Sequence, residues 1–257
     1  MTFLPENRLL LASTNTTGLT QESIPDGIAD GPVLALYNLD PVPVSGRQRG
    51  RLLPVAIFAV ELGRDIVPFE MRLHYRLDIH SYPSEVAVPF FASPADHIVA
   101  LETKNQLKPL DSPRVILPAP HVLLIPIARL LHHVGTTENG QTRYILWDDW
   151  GSTGTRRAPA IWPTNCSNSA SGSRFIPCPE SVNVIGVLDF SRASVAQLQT
   201  SVPESVPCVQ KEVAVPGHIL GRATAAISED VFVIREASIV ALSSYPCPIG
   251  LRSLCHI

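Results

Sequence analysis

Apolar and polar side chains alternate without interruption between Phe69 and His80, which is the cleanest regular pattern in the chain. Apolar residues occupy the odd-numbered positions and polar residues the even-numbered ones. Successive side chains of a β-strand point to opposite faces, so this period predicts a strand with one solvated face. We expect that face to carry His74 and His80 beside Arg72 and Arg76. The two histidines would lie about 20 Å apart, too far to share a metal ion.

Short apolar runs separated by turn-forming residues make up most of the remaining chain. Their β-branched and aromatic residues favour strands, and the Gly, Pro, Asn and Asp between them favour turns. The runs predicted to be strands cover residues 9–11, 33–37, 53–62, 97–101, 114–117, 122–125, 144–147, 182–190 and 231–234. Residues 127–134 fit either a strand or a helical turn, and residues 191–200 are the one segment predicted to be helical.

Many short strands joined by turns predict an all-β fold, either an incomplete β-propeller or a propeller-like array of antiparallel hairpins. Similar strand endings at Trp147 and Leu188 lie 41 residues apart, a spacing typical of four-stranded propeller blades. A third similar strand, ending at Tyr37, does not fit a whole number of blades, so a β-sandwich remains the alternative. We expect residues 1–245 to form a single β-rich domain and residues 246–257 an irregular tail.

Composition narrows the function classes. The 257 residues include 24 prolines, about twice the usual share, which opposes long helices and agrees with short strands. The net charge is −3, and only Arg47, Arg49 and Arg51 approach a basic cluster, which we interpret as a solvated loop. We therefore expect no nucleic-acid partner. No apolar run reaches the roughly 20 residues of a membrane span, so we expect an intracellular, soluble protein of the cytoplasm or nucleus without a membrane partner.

Motifs that carry catalysis are missing from the sequence. It contains no nucleophile elbow, no glycine-rich phosphate loop and no paired cysteine spacing, and we expect no metal site and no cofactor. The chain is therefore predicted not to be an enzyme. The competing hypothesis is a hydrolase whose site is assembled from distant segments, combining a histidine with Asp78, Asp96 or Asp189. A carbohydrate-binding β module is a third possibility, disfavoured by an aromatic content of 6%.

The densest unusual feature is the segment from Trp147 to Arg157, which contains two of the three tryptophans. Tryptophan buries a large area and needs a partner for its ring nitrogen, glycine allows a sharp turn, and arginine spans to acidic or carbonyl groups. Such a set locks a corner of the fold or forms an aromatic contact patch for a partner protein. The candidate patch consists of Trp147, Trp150, Arg156, Arg157 and Trp162.

The same residues carry a resemblance to a known family. The pattern Trp-x-x-Trp-Gly-x-x-x-Thr-Arg beginning at Trp147, followed by Gly172-Ser173-Arg174 and by Val187-Leu188-Asp189-Phe190, resembles the C-terminal region of F-box-type proteins of mushroom-forming fungi. The segments at residues 3–11, 36–40 and 227–231 resemble other parts of those proteins. The sequence departs from the family in having no proline after Trp150-Gly151.

This resemblance implies a ubiquitin-ligase receptor. In that family an F-box of three small helices binds the adaptor Skp1, and a β-rich, propeller-like region recognises the protein substrate. Here no F-box-like helical segment precedes the first strand, so we expect a partial gene product that enters mid-domain and ends in non-native residues. The implied function is a non-enzymatic protein-interaction domain, the substrate-recognition part of such a receptor or a truncated remnant. A Skp1-like adaptor would be a partner only if a fuller gene product contains the F-box.

Overall fold

The computed structural model describes residues 1–19, 24–25, 28, 31–39, 52–62, 66–75, 96–107, 121–134, 141–159, 170–177, 184–191, 195–196, 206–214, 224–227, 231–235 and 240–244. Within those residues the chain forms sixteen strands and two short helices. The first nine strands are β1 (Thr2–Leu4), β2 (Arg8–Ser13), β3 (Val33–Asn38), β4 (Ala56–Ala59), β5 (Ile66–His74), β6 (Ile98–Leu107), β7 (His121–Pro126), β8 (Arg143–Ile145) and β9 (Arg156–Pro159). The remaining strands are β10 (Ala170–Ser171), β11 (Arg174–Phe175), β12 (Val184–Asp189), β13 (Val209–Ala214), β14 (Thr224–Ile227), β15 (Val231–Arg235) and β16 (Val240–Ser244). Helix α1 (Ile127–His132) follows β7, and helix α2 (Trp147–Gly154) lies between β8 and β9.

The strands pair into four sheets that follow one another along the chain, except that β8 of the first sheet comes after β7 of the second. The first sheet has the order β1-β2-β3-β4-β8, the second β5-β6-β7-β9, the third β10-β11-β12-β13 and the fourth β14-β15-β16. Eleven of the twelve described pairings are antiparallel, as the sequence predicted. The exception is the parallel pairing of β4 with β8, in which Phe58 lies opposite Ile145. The all-β prediction is therefore confirmed.

Both faces of the second sheet are buried at its two central strands, β6 and β7. On β6, Val99 and Leu101 pack into a cluster shared with the first sheet, whereas Ile98 and Ala100 pack into a cluster shared with the third sheet. Strand β7 divides its residues between the same two clusters. Burial on both sides explains why residues 98–101 and 122–125 are continuous apolar runs without the alternation of a half-exposed strand. The second sheet is thus the middle layer of three.

The first sheet is also covered on both faces. Leu34 and Leu36 of β3 face the second sheet, and Val33, Ala35 and Tyr37 face outward into a separate apolar cluster. That outer cluster is completed by apolar residues of the connection between β2 and β3, namely Leu19, Ile24 and Ile28. The connection therefore covers the outer face of the first sheet.

The alternating pattern that begins at Phe69 forms β5, although the structure corrects one part of its interpretation. Met71, Leu73 and Tyr75 pack against the cluster between the first and second sheets, as the period of two predicted. Arg72 is exposed, but the side chain of His74 is only 9% exposed, so the prediction of a solvated histidine was wrong there. His74 is buried because it is hydrogen-bonded to a carboxylate of β6, described below. The predicted residues His80 and Arg76 lie outside the described part of the chain.

The helices differ from the prediction. Residues 127–134, for which both a strand and a helical turn were considered, begin with α1. Residues 147–154, predicted to leave a strand through a sharp turn, form α2 instead. The description of residues 191–200 as the one helical segment was therefore wrong, and most of that segment lies outside the described residues. No helix among the described residues is long and apolar enough to cross a membrane.

Burial on both faces of the second sheet leads to a prediction about stability. Leu101→Ala and Leu124→Ala remove fully buried side chains from opposite faces, so each should lower the free energy of unfolding by about 2–5 kcal/mol. Leu53→Ala, at a 42% exposed position, should change it by less than about 0.5 kcal/mol. Urea denaturation measures all three. A small effect for either buried leucine would show that one face of the sheet is exposed.

Candidate functional site

Helix α2 lies where the chain passes from the first sheet to the second. Strand β8 pairs with β4 at the edge of the first sheet, and β9 pairs with β7 at the edge of the second. The eight residues of α2 join these two edges, and Thr155 ends the helix with its hydroxyl donating to the Gly151 carbonyl over 2.7 Å. The segment that the sequence singled out is therefore a junction between two sheets.

Trp150 anchors this junction. Its side chain is 2% exposed and belongs to the apolar cluster between the first and second sheets. The indole Nε1–H donates to the carbonyl oxygen of Ala59 at 2.8 Å, and the ring meets Phe58 edge-on with centroids 5.2 Å apart. Of the two interpretations of the tryptophan segment, a locked corner or a contact patch, the geometry of Trp150 favours the corner.

Trp147 depends on a neighbouring glycine. Its ring is half-buried, lies 5.4 Å from the Trp150 ring in an edge-on arrangement, and covers the Cα of Gly151. A Cβ built at Gly151 would overlap the six-membered ring of Trp147. A glycine is therefore required at position 151 so that the Trp147 ring can lie close to the helix backbone. From the sequence, the glycine was expected to allow a sharp turn. Asp148 and Asp149 lie in the first turn of α2, where negative charge is favourable.

Arg156 and Arg157, the two described members of the candidate patch that remain, have different surroundings. Arg157 is exposed, and its guanidinium donates to the carbonyl oxygen of Glu61 at 2.9 Å. This contact joins β9 to residues 59–61, the same segment in which Ala59 accepts the hydrogen bond from Trp150. Arg156 is half-buried and close enough to Cys208 to influence its thiol electrostatically. Trp162 lies outside the described residues.

A cleft opens between the second and third sheets, beside α1. It has a volume of about 410 Å³ and an apolar lining from Pro126, Ala128, Phe190, Val195, Val206 and Pro207. Asp96, Arg129 and His132 contribute polar groups to the same cleft. Such a volume and lining are usual for sites that bind small molecules. Its residues come from four separate segments, so no local sequence pattern could have identified it. The sequence analysis named only Asp96 among its polar groups as a candidate.

Charged side chains on β5 and β6 form a cross-strand network. His74 Nε2 lies 2.9 Å from Glu102 Oε2, and both side chains are less than 10% exposed. This hydrogen bond, more than the burial that opposes it, holds the pKa of Glu102 below its ordinary value. Glu70 contacts Lys104 at 2.7 Å and also Arg72, and these two partners lower the pKa of Glu70. The network places charge on the edge strand of the second sheet.

The three aspartates considered for a hydrolase have different surroundings. Asp189 is buried, and its carboxylate accepts from Lys211 Nζ at 2.9 Å and from the backbone N–H of Ser191 at 3.0 Å. Asp96 lines the cleft. Asp78 lies outside the described residues. Among the described residues, His74 is hydrogen-bonded to Glu102, a carboxylate that the sequence did not point to.

The two adjacent histidines differ in their environment. His132, the last residue of α1, is exposed, whereas His133 is half-buried with its ring 6.2 Å from that of Phe58. Burial, reinforced by the positive charges of His132, Arg143 and Arg129, lowers the pKa of His133. In the structure the pair ends a helix.

Comparison with known proteins identifies no relative. No protein-family model, no curated protein and no solved structure matches the chain. No group of three or more potential metal ligands is present among the side chains that the structure describes. Cys208, the one cysteine within the described residues, is half-buried, and burial raises the pKa of its thiol.

The contact between Trp147 and Gly151 can be tested with two glycines of the same helix. Gly151→Ala should displace the Trp147 ring and lower the free energy of unfolding by about 1–3 kcal/mol, because a Cβ has no space there. Gly154→Ala is the matched control, since its Cβ would meet Arg129 at an ordinary 3.7 Å. The control should be neutral or more stable. Urea denaturation with tryptophan fluorescence measures both, and equal losses would contradict the assigned role of Gly151.

The lowered pKa of His133 predicts a pH dependence. Because the folded protein disfavours the protonated ring, the unfolded chain takes up this proton first, and stability falls as pH decreases through the ordinary value of about 6.5. His133→Gln should reduce the decrease in melting temperature between about pH 7.5 and pH 5.5. The contribution of Glu102 to the stability of the fold is lost only at lower pH, because the pKa of this carboxyl is lowered from its ordinary value. An unchanged or steeper decrease in the variant would contradict the prediction.

Proposed function

We propose that the chain is a non-enzymatic protein-interaction domain whose contact surface is the outer side of the α2 corner. The observation that carries this proposal is an exposed apolar side chain at the start of a fixed helix. Leu146, immediately before α2, is 47% exposed, and the half-buried Trp147 follows it. Large apolar and aromatic residues held on a rigid support are typical of the few positions that dominate protein binding.

The support for this surface is rigid because of Trp150. Its ring lies in the apolar cluster and its indole nitrogen is bonded to Ala59, so the helix has little freedom to move against the two sheets. Arg157 is bonded to Glu61 in the same segment. A contact surface that is ordered before binding loses less conformational entropy when a partner arrives. Trp150 itself acts in this proposal as the anchor and is buried away from the partner.

We further propose that the sheets are blades of an incomplete β-propeller. Two features support it: consecutive sheets share apolar clusters, and β10 of the third sheet contacts β14 of the fourth. Face-to-face packing of successive antiparallel sheets is the arrangement of propeller blades. The first sheet departs from a regular blade, because it has five strands and its last strand, β8, pairs in parallel.

The resemblance to F-box-type proteins suggests the class of partner. Under this proposal the domain binds a protein substrate in the manner of the receptor part of a ubiquitin ligase, in the cytoplasm or nucleus. A Skp1-like adaptor would join only through an F-box in a fuller gene product. The residues that resemble those of F-box-type proteins include the anchor Trp150 and Asp189, which are both buried. They therefore support a fold in common with that family more than a contact surface in common.

The proposed surface is tested by partner capture from a fungal extract, followed by biolayer interferometry with the partner that is recovered. Leu146→Asp should weaken binding by about tenfold or more, because it places a charge at the centre of the contact. Phe3→Asp is the matched control, since Phe3 is 64% exposed on β1, at the opposite edge of the first sheet from β8. Equal binding by the Leu146 variant, or an equal loss in both variants, would overturn the proposal.

A further inference from the structure

The cleft between the second and third sheets has the features of a ligand site that is separate from the α2 surface. Its lining is mostly apolar, with residues from the end of β7, from α1, and from Phe190 and Val206 on the side of the third sheet. Its volume of about 410 Å³ is enough for a molecule of one aromatic ring or a branched hydrocarbon with a short polar group. Binding of an apolar ligand here would be favourable, because it removes apolar surface of both the ligand and the cleft from water.

Two nitrogen-bearing side chains of α1, Arg129 and His132, line the same cleft. Arg129 and His132 are three residues apart on α1, so they lie on the same face of the helix, and both line the cleft. The aliphatic stem of Arg129 lies beside Gly154 of α2, where an added Cβ would be 3.7 Å from Arg129 Cδ. Neither residue forms a salt bridge with any other described residue. An arginine at the edge of an apolar cleft suits a planar anion such as a carboxylate, which accepts two parallel hydrogen bonds from it.

We propose that this cleft binds a small monocarboxylate with an aromatic or branched apolar body. The body would lie against Phe190 and Val206, and the carboxylate would accept hydrogen bonds from Arg129 and His132. A mostly apolar lining with a few polar groups selects an amphiphilic molecule over a fully polar one. The proposal is independent of the protein-binding function.

Asp96 restricts the charge of the ligand. Its carboxylate lines the same cleft and already takes part in interactions within the protein. A second negative group on the ligand would be repelled by it, so the site favours one carboxylate over two. Asp96→Asn removes this repulsion and should raise the affinity for a dicarboxylate more than the affinity for a monocarboxylate.

Three probes of the same shape separate the contribution of charge from that of the apolar body. They are hydrocinnamate, hydrocinnamyl alcohol and phenylpropylamine, which share a phenyl ring on a three-carbon chain and differ in the terminal group. Isothermal titration calorimetry on the full chain should give the highest affinity for hydrocinnamate, a lower one for the alcohol and the lowest for the amine. Equal affinities, or no binding of hydrocinnamate, would overturn the proposal.

Two variants place the binding in the cleft. Arg129→Gln should weaken hydrocinnamate by about tenfold while changing the alcohol little, because it removes only the charged hydrogen bonds. Arg72→Gln is the control, since it removes an exposed arginine from β5, outside the cleft lining. Ala128→Trp should block all three probes by filling the space, and its melting temperature checks that the fold is retained. Full binding in the Arg129 variant, or an equal loss in the Arg72 variant, would contradict the assignment.

Discussion

The hydrogen bond from the Trp150 indole to the Ala59 carbonyl, together with the burial of its ring, is the constraint on which the arrangement of the sheets depends. Ala59 is the last residue of β4, and Trp150 lies in the helix between β8 and β9. The contact joins the first sheet to the segment that enters the second sheet. A buried indole N–H without an acceptor would be unfavourable, so the ring and the carbonyl fix each other's position. The parallel pairing of β8 with β4 places α2 over this point.

Stacking the sheets on one another decides where charged groups can lie. The second sheet has apolar clusters on both faces, so its central strands carry little charge where they pack. Its charges gather on the edge strand β5 and the adjoining part of β6, where His74 meets Glu102 and Glu70 meets Lys104. In the third sheet the buried Asp189 is tolerated because Lys211 and the Ser191 amide satisfy its carboxylate. Buried charges persist in proteins when they are paired in this way.

Most strands within the described residues were predicted from the sequence. Short apolar runs bounded by proline and polar turns rarely form any structure other than a strand. The prediction failed at α2, where Trp147-Asp148-Asp149-Trp150 was interpreted as the end of a strand and a turn. Trp147 and Trp150 lie on one face of a single helical turn, and the local signal is too short to show a period of 3.6. The sequence also predicted a solvated His74. The pattern along β5 does not reveal that Glu102, 28 residues away on β6, provides a carboxylate for this histidine. The cleft escaped prediction because its lining is brought together from four segments.

By itself, the sequence determined that the chain is built from short β-strands, because frequent proline and the period-two pattern both oppose long helices. It also identified the tryptophan segment as a corner or a contact patch. Tertiary structure alone decided between these roles for Trp150, by burying its ring between two sheets, and it alone created the cleft beside α1. The physical reason is that periodicity reports the faces of one element, whereas the packing of sheets depends on contacts between residues as far apart as Ala59 and Trp150.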